Sequence, residues 1–368
     1  MPKETGWKRQ FASDTVAGVC PQAMQSLQSA NQFGFVPSYG EDDEFTRQAR
    51  RQIGQLFGKD ESDCRVFFVS SGTVANALAL ASACQSFDGI LCHSLSHLEH
   101  DEANAPEYLT GGAKLLHVDG RDGKIDPNRL FDFLNRGHGY HSVRLRMISI
   151  TQATEVGTVY SLEEMQNLRS MKREMESRLQ ERFNDTGYRL YLHMDGARLA
   201  NAIASLKCDP SDVVAEVDVL SFGGSKNGAS PTEAIVFFNR ELAQDFTWRV
   251  KQTGQLVAKM RYLAAPWLGL LKDDVWLANA RHANGQAQKL GQGFQQLGIQ
   301  PALDIEANMV FARLDQSEAD ALQALGWDFY PFQLDDGTAY RFVCNWSTTD
   351  EAVDDLLEDV ETIAPRMR

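Results

Sequence analysis

Between residues 65 and 238 the chain alternates short runs of β-branched and aromatic residues with longer stretches whose apolar positions recur every three or four residues. Short apolar runs bounded by turn residues read as buried strands and the longer period reads as helix, so the alternation predicts parallel strands joined by crossover helices. Strands are expected at 65–69, 89–93, 114–118, 143–151, 189–194, 218–222 and 234–238, with helices at 73–86, 126–135, 161–183 and 197–206. Seven such strands form one open, mostly parallel sheet. Residues 162–182 carry Leu162, Met165, Leu168, Met171, Met175 and Leu179 among charges, the spacing of an amphipathic helix with a solvated face; a partner-binding helix is the alternative. After helical stretches at 251–271 and 274–297 the pattern changes to an apolar run at 309–314, a helix at 317–325, an apolar run at 340–344 and a last helix at 350–363. The expected organisation is a large α/β domain over 51–272 and a small C-terminal α+β domain over 273–368, with residues 1–50 packing on both.

Composition narrows the class. The chain has 368 residues, 43% of them hydrophobic, enough for a sizeable core. A formal charge of −14 with no basic run argues against nucleic acid, whose binding draws on Lys and Arg contacts to phosphate. The segment Met1 to Lys8 has no apolar signal core and no run of eighteen apolar residues occurs, so no membrane association and a cytoplasmic location are expected. Cys20, Cys64, Cys84, Cys92, Cys208 and Cys344 are scattered without a C-x-x-C pair, which predicts free thiols and no zinc site.

The chemistry-bearing residues fall in loops after predicted strands, where ligands bind in open α/β sheets. Ser221-Phe222-Gly223-Gly224-Ser225-Lys226-Asn227-Gly228 runs from a strand into a glycine-rich loop with one lysine, about thirty residues after His193-Met194-Asp195-Gly196-Ala197-Arg198. A lysine amine for a Schiff base and a carboxylate for a pyridine nitrogen are what pyridoxal phosphate chemistry requires. The glycines are expected to let the backbone approach a phosphate, although a solvent lysine in a flexible loop reads the same way. Asp195 alone also fits a helix N-cap, and Arg198 a surface ion pair or a carboxylate clamp. Ser71, Gly72 and Thr73 open a helix after a strand and form a candidate phosphate cradle, or an ordinary N-cap turn. The run from His93 to Glu102 holds three histidines and three carboxylates, but its spacing is a poor metal pattern; His97 is read as stacking on a cofactor ring, with a solvated loop as the alternative, and Glu102 as a further candidate. Arg341, inside an apolar run, either faces outward or reaches into a site.

Phe11-Ala12-Ser13-Asp14-Thr15, Tyr39-Gly40-Glu41-Asp42, Ser71 to Asn76, His193 to Leu199, Ser225-Lys226 and Lys259-Met260-Arg261 occur in the order that resembles the L-threonine aldolase (β-eliminating lyase) family of fold-type I pyridoxal phosphate enzymes, over nearly the whole chain. Residues 149–157 are most similar to its low-specificity and L-phenylserine branch. The resemblance implies that Lys226 bonds the cofactor aldehyde, Asp195 pairs with the ring nitrogen, His97 stacks on the ring, and Gly72 and Thr73 bind the phosphate. It implies that Ser13, Arg198 and Arg341 grip the substrate carboxylate. Tyr39, Lys251 and Arg261 resemble residues that such enzymes contribute across a subunit boundary, so a homodimer or homotetramer with shared sites is implied. The implied reaction is cleavage of L-threonine, L-allo-threonine or L-phenylserine-type substrates to glycine and an aldehyde. The family commonly has a second histidine within 151–155; none is present here, which leaves the β-hydroxyl base open among His97, Glu102 and an ordered water. Substrate side-chain contacts are expected from Tyr39 and from residues 33–36 and 152–155. Rival readings are β-elimination, transamination or racemisation on the same fold, or a cofactor-binding scaffold with a dead site.

Overall fold

The computed structural model describes residues 9–32, 34–40, 43–134, 136, 139–334 and 336–363; Phe33, Glu41, Asp42 and Asn135, all invoked above, lie outside the described residues. One sheet contains β1 (Arg65–Val69), β2 (Asp88–Cys92), β3 (Lys114–His117), β4 (Arg144–Thr151), β5 (Tyr191–Gly196), β6 (Val219–Gly223) and β7 (Glu233–Phe237), in the order β1-β7-β6-β5-β4-β2-β3. The neighbours from β3 to β6 are parallel, and β7 alone runs antiparallel between β6 and β1. The helices around this sheet are α1 (Pro21–Gln32), α2 (Glu44–Leu56), α3 (Gly72–Ala83), α4 (His97–His100), α5 (Ala105–Thr110), α6 (Leu162–Phe183), α7 (Leu199–Leu206), α8 (Pro210–Val213), α9 (Phe246–Gln252) and α10 (Arg261–Leu271).

Strand period decides which side chains meet which helix. Side chains alternate between faces, so Met147, Tyr191, Val219 and Ile235 pack on α3 through Ala75, Leu78 and Ala79. Their chain neighbours Ile148, Leu192, Met194, Leu220 and Phe222 pack on the opposite face with Met165, Leu168 and Met175 of α6 and Trp267 of α10. The α3 sequence is apolar nearly all round because it is buried nearly all round. The amphipathic α6 has the expected solvated side, and the reciprocal Ser161–Glu164 capping box fixes its start.

A second, antiparallel sheet contains β8 (Met309–Ala312), β9 (Tyr330–Leu334) and β10 (Gly337–Val343) in the order β8-β10-β9, with α11 (Val275–Gln296), α12 (Gln316–Ala324) and α13 (Asp350–Ile363). Leu290, Phe294, Val310, Phe342, Val353 and Leu356 form its core, joined by Phe11, whose backbone bonds Asp328 and Val343. Ala23 of α1 and Ile53 of α2 belong instead to the core under the large sheet.

Three expectations are corrected. The helix at 126–135 is a 3₁₀ segment, Pro127–Phe133, started by the Asp126 carboxylate accepting from the Asn128 N–H. The stretch 251–271 is broken between α9 and α10, where Gly254 and Lys259 take left-handed backbone conformations that end a helix. The unpredicted β9 is an edge strand with mostly exposed side chains and a proline, so it lacks the apolar alternation that marks a strand. All six cysteines are free, and five are buried. Among the described residues no helix is long and apolar enough to cross a membrane.

Candidate active site

The parallel strands β1, β2, β4, β5 and β6 all end at one edge of the large sheet. A cavity of about 400 Å³ lies there, with Ser71, Thr73, His97, Asp195, Lys226 and Glu233 in its wall. Asp195 pairs in register with Ser221 of β6, which places the loop after β6 directly beside it. Strand alternation turns Asp195 to the face covered by α3. Its Oδ1 accepts the Ala197 N–H at 3.0 Å and its Oδ2 accepts from Asn76 Nδ2 at 2.9 Å. Asp195 therefore lies within β5 and is not the cap of α7, whose N-cap residue is Arg198.

Lys226 lies in a one-turn 3₁₀ segment, Ser225–Asn227, and is half-buried. The two glycines before it are required by close packing. A Cβ on Gly223 would stand 2.3 Å from the Ala197 carbonyl oxygen, and one on Gly224 would stand 2.7 Å from that of Thr232 and 2.8 Å from the Trp267 ring. At the start of α3, by contrast, a Cβ on Gly72 would meet nothing within 4 Å. The first N–H groups of α3, with Ser71 as N-cap, thus open on free space, the arrangement that favours an anion. The preceding Ser70 is tethered by its N–H and Oγ to Gln255 Oε1, at 2.9 and 3.0 Å.

His97 begins α4, and its Nδ1 donates to Glu102 Oε1 at 2.8 Å; the same oxygen accepts from Asn76 Nδ2 at 2.8 Å. Glu102 has a fully buried side chain and stands behind the imidazole, outside the cavity wall. Through this bond Glu102 orients the His97 imidazole, which itself lines the cavity. Burial pushes the Glu102 carboxyl above the usual carboxylate range, the bonds from His97 and Asn76 offsetting only part of that. Burial works to lower the His97 imidazole, yet the Glu102 bond and the Asp195 and Glu155 charges outweigh it and raise the imidazole above its ordinary value. The neighbouring histidines diverge, His93 Nε2 bonding the Gly120 carbonyl while His100 is exposed. Among the described residues no group of three or more His, Cys, Asp or Glu is placed to hold a metal ion.

Two strand positions inward from Asp195, on the same face, His193 is clamped between Ser149 Oγ at 2.8 Å and Ser221 Oγ at 3.1 Å. Burial lowers its imidazole to about 4, so it is neutral at working pH.

Arg198 is buried, with Nε and Nη2 on the two oxygens of Asp14 at 2.7 and 3.1 Å and Nη1 on Glu155 Oε2 at 3.3 Å. It is thus not a surface ion pair, and two of its five N–H donors are left for a ligand. Burial alone would raise both carboxyls, but Arg198 and then Lys226 outweigh it and hold Asp14 and Glu155 below the usual carboxylate range. Arg341 is half-buried on β10, and its Nε is buried with no partner. Burial and repulsion from Arg198 lower its guanidinium from the usual value. Ser13 Oγ shares a 2.9 Å hydrogen bond with the hydroxyl of Thr15, which lines the cavity.

Tyr39, Lys251 and Arg261 are not in the cavity wall of their own chain. Exposed Lys251 places its ammonium 5.4 Å from the centre of the exposed Tyr39 ring, and buried Arg261 donates from Nε to the Ala30 carbonyl at 3.2 Å. Asn76, Glu233 and Asp14 were not singled out from the sequence. Glu233 opens β7, its Oε2 accepts the Gly224 N–H at 2.6 Å, and burial raises its carboxyl to about 7. Only Asn76 carries a signal, as a polar residue interrupting an apolar run; Asp14 and Glu233 stand among or beside other polar residues.

The fold is that of the fold-type I pyridoxal phosphate enzymes. A structure of threonine aldolase from Leishmania major superposes with a TM-score of 0.86 at 27% identity, covering 96% of this chain and 99% of that one. Oryza sativa TDC, solved with PLP and tryptamine, shares the fold at a TM-score of 0.76 and 12% identity, covering 100% of this chain and 86% of its own. The low specificity L-threonine aldolase of Pseudomonas aeruginosa is 43% identical over 362 residues, 98% of this chain and 99% of that protein. The Escherichia coli K12 protein of the same name is 26% identical over 312 residues, 84% and 86% of the two chains. The Beta-eliminating lyase family profile matches residues 10–317, and the chain belongs to this family.

Proposed function

We propose that this chain is a pyridoxal-phosphate-dependent aldolase that cleaves L-β-hydroxy-α-amino acids of the L-threonine, L-allo-threonine and L-phenylserine type to glycine and an aldehyde. The observation that carries this is the meeting of Lys226 and Asp195, from neighbouring strands, beside the open start of α3. The donor set fits the cofactor: the Lys226 amine for its aldehyde, the Asp195 carboxylate for its ring nitrogen, the His97 imidazole for its face, and Ser71, Gly72 and Thr73 for its phosphate. When bound, the cofactor supplies an electron sink for the pair left on Cα as the Cα–Cβ bond breaks.

The remaining work falls to side chains. Arg341, with its unpartnered Nε, and the two unengaged donors of Arg198 orient the substrate carboxylate with Ser13. His97, its Nδ1 hydrogen held by Glu102, presents Nε2 as the base that takes the β-hydroxyl proton while the aldehyde departs. Cα then takes a proton and glycine leaves. The small domain, placed from residue 273, contributes Arg341. Tyr39 and Lys251, exposed and outside their own cavity, serve the site of a second subunit in a homodimer or homotetramer; Arg261, tied to Ala30 through Nε, has only its two terminal amino groups to offer there. Free, mostly buried thiols support a cytoplasmic location.

The test is the absorbance of the purified protein given pyridoxal phosphate, followed by assay of glycine and aldehyde from L-threonine and L-phenylserine. A near-visible band and both products are expected in the wild type. In Lys226→Ala the band is lost and turnover falls by about a thousandfold or more. Aldehyde release that survives in Lys226→Ala would sink the proposal.

A further inference from the structure

We propose that Asn76 is a positioning residue: its one amide nitrogen ties the carboxylate assigned to the cofactor ring nitrogen, Asp195, to the imidazole assigned to the ring face, His97, through Glu102. The inference rests on the reading of the site given above. Asn76 lies in the second turn of α3 and is 2% exposed. Both of its amide hydrogens are engaged, one on Asp195 Oδ2 at 2.9 Å and one on Glu102 Oε1 at 2.8 Å, and Glu102 Oε1 also receives the His97 Nδ1 hydrogen at 2.8 Å. An amide is the side chain that fits this place. It donates twice from a single atom, whereas a hydroxyl or a neutral imidazole donates once and a carboxylate would add a third negative charge.

The network is kept at a cost. Asn76 Oδ1 and Glu102 Oε2 are buried without partners, and each such atom is destabilising. An apolar packing would avoid that cost, so the retained chain of polar groups answers a need of the site. The Ala197 N–H on Oδ1 and the Asn76 amide on Oδ2 together fix the plane of the Asp195 carboxylate. They leave its remaining lone pairs for one further donor. Around His97 stand Glu102 from the turn after α4, Asp195 from β5, Glu155 from the loop after β4, and Lys226 after β6. Of these, Asn76 bonds Glu102 and Asp195 directly, and its bond to Glu102 favours the ionised form of that carboxyl.

Two substitutions of similar size separate this role from simple packing. Asn76→Leu removes both donors, so the buried Glu102 takes up its proton more readily and the His97 imidazole midpoint falls. Asn76→Asp adds a carboxylate, and the midpoint rises. The readout is an NMR pH titration of His97 in the apoprotein, which needs neither cofactor nor turnover. In the loaded enzyme both variants should bind pyridoxal phosphate at least about tenfold more weakly, the worth of a hydrogen bond to a charged group. They should also lower kcat with little change in KM, since the carboxylate-binding arginines are untouched. Asn76→Gln, which keeps the two donors on a longer arm, should recover part of both effects; it also carries the test if Asn76→Leu does not fold. Shifts of opposite sign support the proposal. Unchanged midpoints, or shifts of the same sign, in folded variants overturn it. A wild type that binds no cofactor overturns the functional reading and leaves the titration result standing.

Discussion

Glu233 carries a carboxyl that titrates near neutrality inside a cavity wall. Burial is the main cause, and the Gly224 N–H and the Lys226 ammonium offset only part of it. Its folded value, about 7, lies above the 4.5 of an unperturbed glutamate. The neutral acid therefore contributes stability that is fully present below the unfolded value and is lost as pH rises through about 7. That contribution is on the order of 3 kcal/mol. Apoprotein melting should fall from pH 5 to pH 8, and Glu233→Gln, whose carbonyl still accepts from Gly224, should flatten that slope; an unaltered slope would contradict the assignment. Lys226, Asp195 and His97, which share the cavity wall, stand out in the sequence because each lies at or beyond the end of a buried strand, where a charge is conspicuous. Asn76 and Glu233 do not: one is a single polar residue inside an apolar helix and the other the first residue of a strand, and the purpose of each appears only when a distant carboxylate or backbone N–H arrives beside it.

At the scale of elements, strand ends carry most of the information. The six residues of β5 are all buried, and the period of two along them sends Asp195 and His193 to α3 and Met194 to the opposite core. The seven strands were readable from apolar runs, whereas β9 was not, because an exposed edge strand has no buried face to write into the sequence. Likewise the break between α9 and α10 depends on left-handed backbone at Lys259, a residue type that gives no warning of it. The junction after β6 makes a sharper claim. Gly223→Ala would press a methyl group against the Ala197 backbone, which cannot swing aside, and overpacking of this kind costs about 1–3 kcal/mol. The expected result is a thermal midpoint lowered by several degrees with the Lys226 loop displaced; a variant as stable as wild type would show that β5 and β6 can separate there.

For the whole molecule, the open edge of the large sheet collects loops from both ends of the chain. Asp14, before the first helix, grips Arg198 after β5 and accepts from Asn308 just before β8, so the N-terminal segment joins the two sheets at the cavity. No local pattern reports this, because the partners of Asp14 lie 184 and 294 residues away. Sharing of sites between subunits is tested by mixing. Lys226→Ala and Lys251→Ala are each expected to be nearly inactive alone. Unfolded together and refolded, they should regain up to about a quarter of wild-type activity, since random pairing makes half the dimers hybrids and each hybrid holds one intact site. Absence of any recovery from soluble mixed oligomers would confine Lys251 to its own subunit.

The clamp around His193 has a use outside catalysis. Its imidazole is held by Ser149 and Ser221 and stays neutral down to about pH 4. Among the eight histidines of the chain its ring resonances should therefore stand still while those of His97 move with its titration. The protein thus carries a chemical-shift standard of its own, set into the same sheet face as the site it would calibrate.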